Sequence, residues 1–158
     1  MTMNGNVLPD RRGFLLGTAG AAVMLGMLGR LPAAAQDKPL EADALVKAIL
    51  KDAKPIEGRI AFELPEIAEN GNTVPYSILV ESPMTQADHV KAVHIIATGN
   101  PQPQIATFNF TPESGKASAA SRMRLGRTQD IIAVAELADG KFLIGKRMVK
   151  VTIGGCGG

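Results

Sequence analysis

The chain has 158 residues, 46% hydrophobic and 20% charged, the composition of an ordinary globular domain and not of a disordered or collagen-like chain. Seventeen basic residues against 15 acidic give a formal +2, and the first 35 residues, with Arg11, Arg12, Arg30 and the single acid Asp10, account for all of it. The neutral body that remains has no Trp, one Tyr and five Phe, so it lacks both the charge and the stacking rings that capture nucleic acid, and the charge that holds a protein on an anionic membrane.

Residues 1–35 read as an export signal. Arg11-Arg12 opens an uncharged apolar run that continues to Gly29 and is interrupted by Gly13, Gly17, Gly20, Gly26 and Gly29. Pro32 and Ala33-Ala34-Ala35 follow, the small residues a signal peptidase reads. The paired arginines with Phe14 and Leu15 resemble a twin-arginine signal. Asp10 and Leu16 depart from its usual form, which puts the export route in question and nothing else. Gly13 to Leu31 is also 19 residues long, near the ~20 that span a bilayer, so a retained anchor is the alternative. Cleavage after Ala35 would start the exported protein at Gln36, with no membrane attachment. The twin-arginine route moves folded cargo, often with a partner subunit already bound.

Residues 36–54 are expected to hold one amphipathic helix. Apolar side chains fall at 42, 45, 46, 49 and 50, with Glu41 and Asp43 at the start, Lys51 and Lys54 at the end, and Pro55 as the stop. From residue 55 to 153 the period becomes two. Strands are expected at 60–64, 74–80, 90–98, 104–111, 117–125, 131–137 and 142–153. Turns are expected at Glu69-Asn70-Gly71-Asn72, Ser82-Pro83, Gly99-Asn100-Pro101 and Asp139-Gly140. Pro75 suggests an edge or a strand start, and Gly145 a bulge. About seven short strands at roughly 10-residue intervals describe an all-β sandwich, with antiparallel sheets each wet on one face.

The chain ends Gly154-Gly155-Cys156-Gly157-Gly158. Four glycines in five residues are costly to order, so 154–158 is expected to be a flexible arm reaching at most roughly 17 Å. Cys156 is the only cysteine, so no intrachain disulfide can form. It has no flanking side chains, and a thiol on such a thread could enter a narrow channel. An oxidising compartment would also permit an interchain disulfide. Ubiquitin-like sulfur carriers end in Gly-Gly too, but they leave the cysteine unexplained. No Lys, Arg or His follows Lys150, so nothing local in sequence favours the thiolate. On this reading the positive field comes from whichever enzyme receives the arm.

The terminal Gly154-Gly155-Cys156-Gly157-Gly158, preceded by Val149-Lys150-Val151-Thr152-Ile153, resembles the signature of the SoxY family, the Y subunit of the periplasmic Sox sulfur-oxidation system. Residues 64–71, Ser82-Pro83-Met84-Thr85, Asn100-Pro101-Gln102-Pro103 and Arg124-Leu125-Gly126-Arg127-Thr128-Gln129 resemble further stretches of it. The resemblance implies an immunoglobulin-like sandwich that carries thiosulfate-derived sulfur on Cys156 and is not itself an enzyme. It implies a heterodimer with a Z subunit that lacks an export signal. It also implies transient contact with a haem enzyme that loads the thiol, a metal-dependent hydrolase that releases sulfate, and in some organisms a sulfane dehydrogenase. The carrier itself needs no cofactor beyond the covalent adduct.

Other side chains carry less. His89 and His94 should point to opposite faces, and a metal needs three or four converging ligands. Met84, Met123 and Met148 are scattered and read as filler rather than copper ligands. Arg122, Arg124 and Arg127 could steer anions or meet the Z subunit, although most exposed charges do nothing measurable. Serine, histidine and aspartate occur without a nucleophile elbow, so a hydrolase has no support.

Overall fold

The computed structural model describes residues 41–155. Helix α1 spans Ala42–Leu50. It ends at Leu50 because Lys51 and Asp52 take left-handed backbone (φ 50 and 65) and the Lys51 N–H returns to the Lys47 carbonyl at 3.0 Å. The expected helix is therefore shorter at its end: Lys54 and Pro55 lie beyond it, and Lys47 is the base in its last turn.

Nine strands follow where about seven are expected: β1 Ile56–Glu57, β2 Ile60–Glu63, β3 Ile67–Asn70, β4 Val74–Val80, β5 Val90–Ala97, β6 Gln104–Asn109, β7 Ala117–Met123, β8 Gln129–Leu137 and β9 Phe142–Ile153. The two additional strands, β1 and β3, both pair parallel to the long β9, at Leu143–Ile144 and at Lys150–Ile153. The large sheet runs β1-β9-β8-β5-β6 with β3 also on β9, and the small sheet runs β2-β4-β7. The Asp139-Gly140 hairpin forms as expected, with the Leu137 N–H on the Lys141 carbonyl and Gly140 at φ 81.

The core lies between the sheets. Phe62, Tyr76, Ile78 and Val80 of the small sheet meet Val93, Ile95, Ile131, Ala133, Leu143 and Val149 of the large one. Full burial of an aliphatic side chain of this size contributes roughly 1.5–3 kcal/mol relative to exposure. A second cluster covers the outer face of the large sheet, where Ala42, Leu45, Val46 and Ile49 of α1 pack on Ile96, Ile132, Val134 and Phe142. Strand β8 is thus covered on both faces, with Ile131, Ala133 and Ala135 turned inward and Ile132 and Val134 under the helix. That explains its unbroken apolar run and corrects the expectation of a wet outer face along it.

Two local expectations change. Glu69 and Asn70 belong to β3, leaving the turn to Gly71 and Asn72. Gly145 is not a bulge, because β8 and β9 keep register through Ala133–Gly145. The irregularities fall in β5 instead, between Val90 and Ala92 and between Ile95 and Ile96. Pro75 sits at the start of β4, paired with Arg122 but beyond the reach of β2. Among the described residues no helix is long and apolar enough to cross a membrane.

Candidate functional site

The tail leaves the body at a junction of backbone groups. Strand β9 ends at Ile153, whose carbonyl accepts the Gly71 N–H at 2.7 Å. The Gly71 carbonyl accepts the Leu125 N–H at 2.8 Å, and the Leu125 carbonyl accepts the Gly155 N–H at 2.9 Å. Three segments distant in sequence, the β3–β4 turn, the β7–β8 loop and the tail, are therefore joined by one circuit of main-chain bonds. Thr128 adds a side-chain acceptor, its Oγ1 taking the Val151 N–H at 2.9 Å.

Glycine is required here by close approach. A Cβ on Gly71 would collide with the Leu125 carbonyl oxygen, and one on Gly154 would collide with the Gly126 carbonyl oxygen. A Cβ on Gly155 would lie 2.7 Å from the Gly71 oxygen. Gly155 is buried. The expected arm of 154–158 is thus shortened at its root. Gly154 and Gly155 are clamped to the body, whereas Cys156, Gly157 and Gly158 lie outside the described residues, as do Arg11, Arg12 and Ala35.

A buried amide pair holds the β7–β8 loop from below. Asn100 and Gln129 are only 8% and 6% exposed, so each amide needs its partners. Asn100 Nδ2 donates to the Arg124 carbonyl at 2.8 Å, and Asn100 Oδ1 accepts the Gly126 N–H at 3.2 Å and Gln129 Nε2 at 2.8 Å. Gln129 Nε2 also donates to the Arg127 carbonyl at 3.1 Å, and its Oε1 accepts the Gly99 N–H at 2.6 Å. Leu125, 0% exposed, pins the middle of the loop into the core. The backbone at Arg124 and Arg127 is therefore fixed while both side chains remain exposed.

The other polar residues do not converge. His89 Nδ1 lies 3.0 Å from the Thr85 carbonyl, and His94 Nδ1 lies 3.0 Å from Thr107 Oγ1. Among the described residues no group of three or more His, Cys, Asp or Glu could hold a metal. Arg122 is on β7 but Arg124 lies past its end, so the two do not share a strand face. A groove of about 650 Å³ on the small sheet is lined by Leu64, Pro65, Pro75, Tyr76 and Arg122 among others. Burial raises the Tyr76 phenol, opposed by its hydrogen bond with Ser121. Two further lining residues pair directly, the Ser77 hydroxyl donating to Glu63 Oε2 at 2.6 Å, and the tail root is not part of the groove.

A two-sheet sandwich whose last strand runs into a clamped glycine tail places the chain in the class of immunoglobulin-like sandwiches. The family described as sulfur oxidation protein SoxY matches residues 46–156. The chain belongs to the SoxY family. The structure of the sulfur carrier protein SoxY from Chlorobium limicola f thiosulfatophilum is 31% identical, covering 72% of this chain and 97% of that one at a TM-score of 0.59. A superoxide reductase (neelaredoxin) from Ignicoccus hospitalis is 13% identical at a TM-score of 0.54, covering 60% of this chain and 80% of that one. A putative superoxide reductase from Thermotoga maritima is 16% identical at 0.51, covering 62% and 87%. At such identities these two share the fold alone. No curated protein sequence matches the chain.

Three of the sequence stretches singled out for their resemblance come together in space, while Ser82–Thr85 instead bonds to Asp88 beyond the other end of β4. Gly71, Asn100 and Arg124–Gln129 surround the root of the tail. Sequence reasoning missed this convergence. The available signal was a glycine in or beside each converging stretch: Gly71, Gly99 and Gly126.

Proposed function

We propose that this chain is an exported, non-catalytic carrier of sulfur intermediates in thiosulfate oxidation, with Cys156 as the point of attachment. Membership of the SoxY family carries the reading, and the glycine-flanked Cys156 immediately beyond the clamped Gly155 supports it. Loading joins the Cys156 sulfur to the outer sulfur of thiosulfate. One S–S bond forms, the thiol proton is released, and two electrons pass to a haem enzyme. Water then attacks the terminal sulfone. Sulfate leaves with the oxygen of that water, two protons are released, and a persulfide stays on Cys156. A sulfane dehydrogenase, where present, would oxidise that sulfur further.

The signal at residues 1–35, with Arg11 and Arg12, would deliver the protein to the periplasm together with a Z subunit. Partner enzymes would do the chemistry, and this chain would hold the substrate between them. Intact mass under non-reducing conditions tests the reading. A carrier gives sulfur adducts of one chain that reductant removes and that Cys156→Ser abolishes. A doubled mass alone would mean that Cys156 only crosslinks two copies. Turnover of thiosulfate by the isolated protein would make it an enzyme and reject the carrier role.

A further inference from the structure

We infer that the outer face of the small sheet, β2-β4-β7, is a docking surface for a second copy of this chain, related to the first by a two-fold axis running along β4. The inference stands whatever Cys156 does. Tyr76, Ile78 and Val80 of β4 face the core, so Pro75, Ser77 and Leu79 face outward. Opposed residues of antiparallel strands share a side. Ala61 and Ser118 therefore flank Leu79, Glu63 and Ala120 flank Ser77, and Arg122 stands beside Pro75. All of these are exposed except the half-buried Ser77, with Leu79 at 41%. The large sheet has its outer face covered by α1, the one α-helix of the described residues. The small sheet has no such cover.

A wet face of an antiparallel sheet ordinarily sets polar residues opposite the apolar ones. Here a proline, a leucine and two alanines stand on it, and its only charges sit at opposite margins, Glu63 on β2 and Arg122 on β7. At the usual strand spacing those two strands are about 10 Å apart across β4. Neither charge enters an ion pair among the described residues. The Ser77 hydroxyl donates to Glu63 Oε2 at 2.6 Å and holds that carboxylate on the face, leaving its other oxygen for a partner. The groove of about 650 Å³ is bounded by both charges, and the small side chains between them let a second sheet approach to the ~10 Å of packed sheets.

The charges select the occupant. In a two-fold interface one patch meets itself, so that if Glu63 of one copy meets Arg122 of the other, the reverse contact forms as well. An axis along β4 lays β2 of one copy over β7 of the other. Glu63 then falls above the Ala120 row, two residues or about 7 Å from Arg122 and within reach of its long side chain. Leu79, on the central strand, meets its own counterpart. An axis across the strands would instead lay β2 over β2 and bring the two Glu63 carboxylates together, which like-charge repulsion disfavours.

Sedimentation equilibrium of the purified protein, kept reduced so that Cys156 cannot crosslink, tests the inference. The wild type should associate reversibly to a two-chain mass. E63R and R122E should each weaken association by about tenfold or more at low salt, since each sets like charges together at both contacts. An equimolar mixture of E63R and R122E should recover it, because every mixed pair then holds one native and one reversed acid–base contact. A charge acting only within its own chain gives no recovery on mixing. Leu79→Lys should abolish association, and its thermal melt at dilutions where all variants are single chains should match the wild type, because the side chain is already exposed. A one-chain mass up to about 1 mM overturns the inference, even where another protein occupies the face. Association that survives Leu79→Lys places the contact elsewhere and overturns it too, as does a mixture that stays dissociated.

Discussion

The Gly155 N–H donates to the Leu125 carbonyl at 2.9 Å, and Leu125 in turn donates to Gly71 at 2.8 Å. The tail is therefore attached to the body through its second glycine, and the glycines of the junction serve contact between backbones. A methyl group on Gly71 or on Gly154 would meet a carbonyl oxygen of the β7–β8 loop. Gly71→Ala should lower stability by about 1–3 kcal/mol, the usual cost of overpacking. Gly154→Ala should leave the global transition nearly unchanged and instead raise amide exchange at Gly155. Urea denaturation and hydrogen exchange separate the two effects, and an unshifted midpoint for Gly71→Ala would show that the junction tolerates a methyl group.

Gly145 provides the opposite case. It lies within β9 at ordinary negative φ, and a Cβ there would touch the Ile60 side chain at 3.4 to 3.8 Å, normal van der Waals contact. Glycine inside a strand costs unfolded-state entropy without packing in return. Gly145→Ala should therefore stabilise the protein by about 0.5–1 kcal/mol. Thermal melts would show the gain directly, and a loss would mean that Ile60 cannot give way.

Asn100 is the next point of leverage. Replacing it by alanine strands the Arg124 carbonyl, the Gly126 N–H and one donor of Gln129. Each buried polar group left unpaired costs about 1–3 kcal/mol, so Asn100→Ala should destabilise by at least about 2 kcal/mol in urea titrations. Asn100→Asp should not rescue it. The acceptor survives, but the donor to Arg124 is lost and a charge faces that carbonyl. A near-neutral Asn100→Ala would mean that water can replace the amide.

The sandwich was legible wherever the period of two ran for five residues or more, and the compact apolar run at 131–137, which has no such period, forms its expected strand as well. β1 and β3 escaped because two and four residues are too few to show a period, and because parallel pairing to a distant strand leaves no hairpin signal beside them. The double burial of β8 was visible only as an apolar run, since the helix that covers its outer face lies some eighty residues earlier. At the tail, the four glycines suggested freedom. Absence of a Cβ serves freedom and close approach alike, and only the fold decides between them for Gly154 and Gly155.

His94 links the sandwich to pH. It lies on β5 with Nδ1 3.0 Å from Thr107 Oγ1 of β6. Burial lowers its pKa below the ordinary 6.5, and the Glu136 carboxylate opposes that only in part. The unfolded chain therefore takes up this proton at higher pH than the folded protein does. The stability from neutral His94 is complete above about 6.5 and is lost as pH falls through that value and on through the lower folded value. His94→Asn keeps a polar group opposite Thr107 but cannot titrate. The difference in urea midpoint between pH 7.5 and pH 5 should be smaller in His94→Asn than in the wild type. Equal differences would place the acid sensitivity on other groups and show that His94 is already protonated in the fold at pH 5 at little cost.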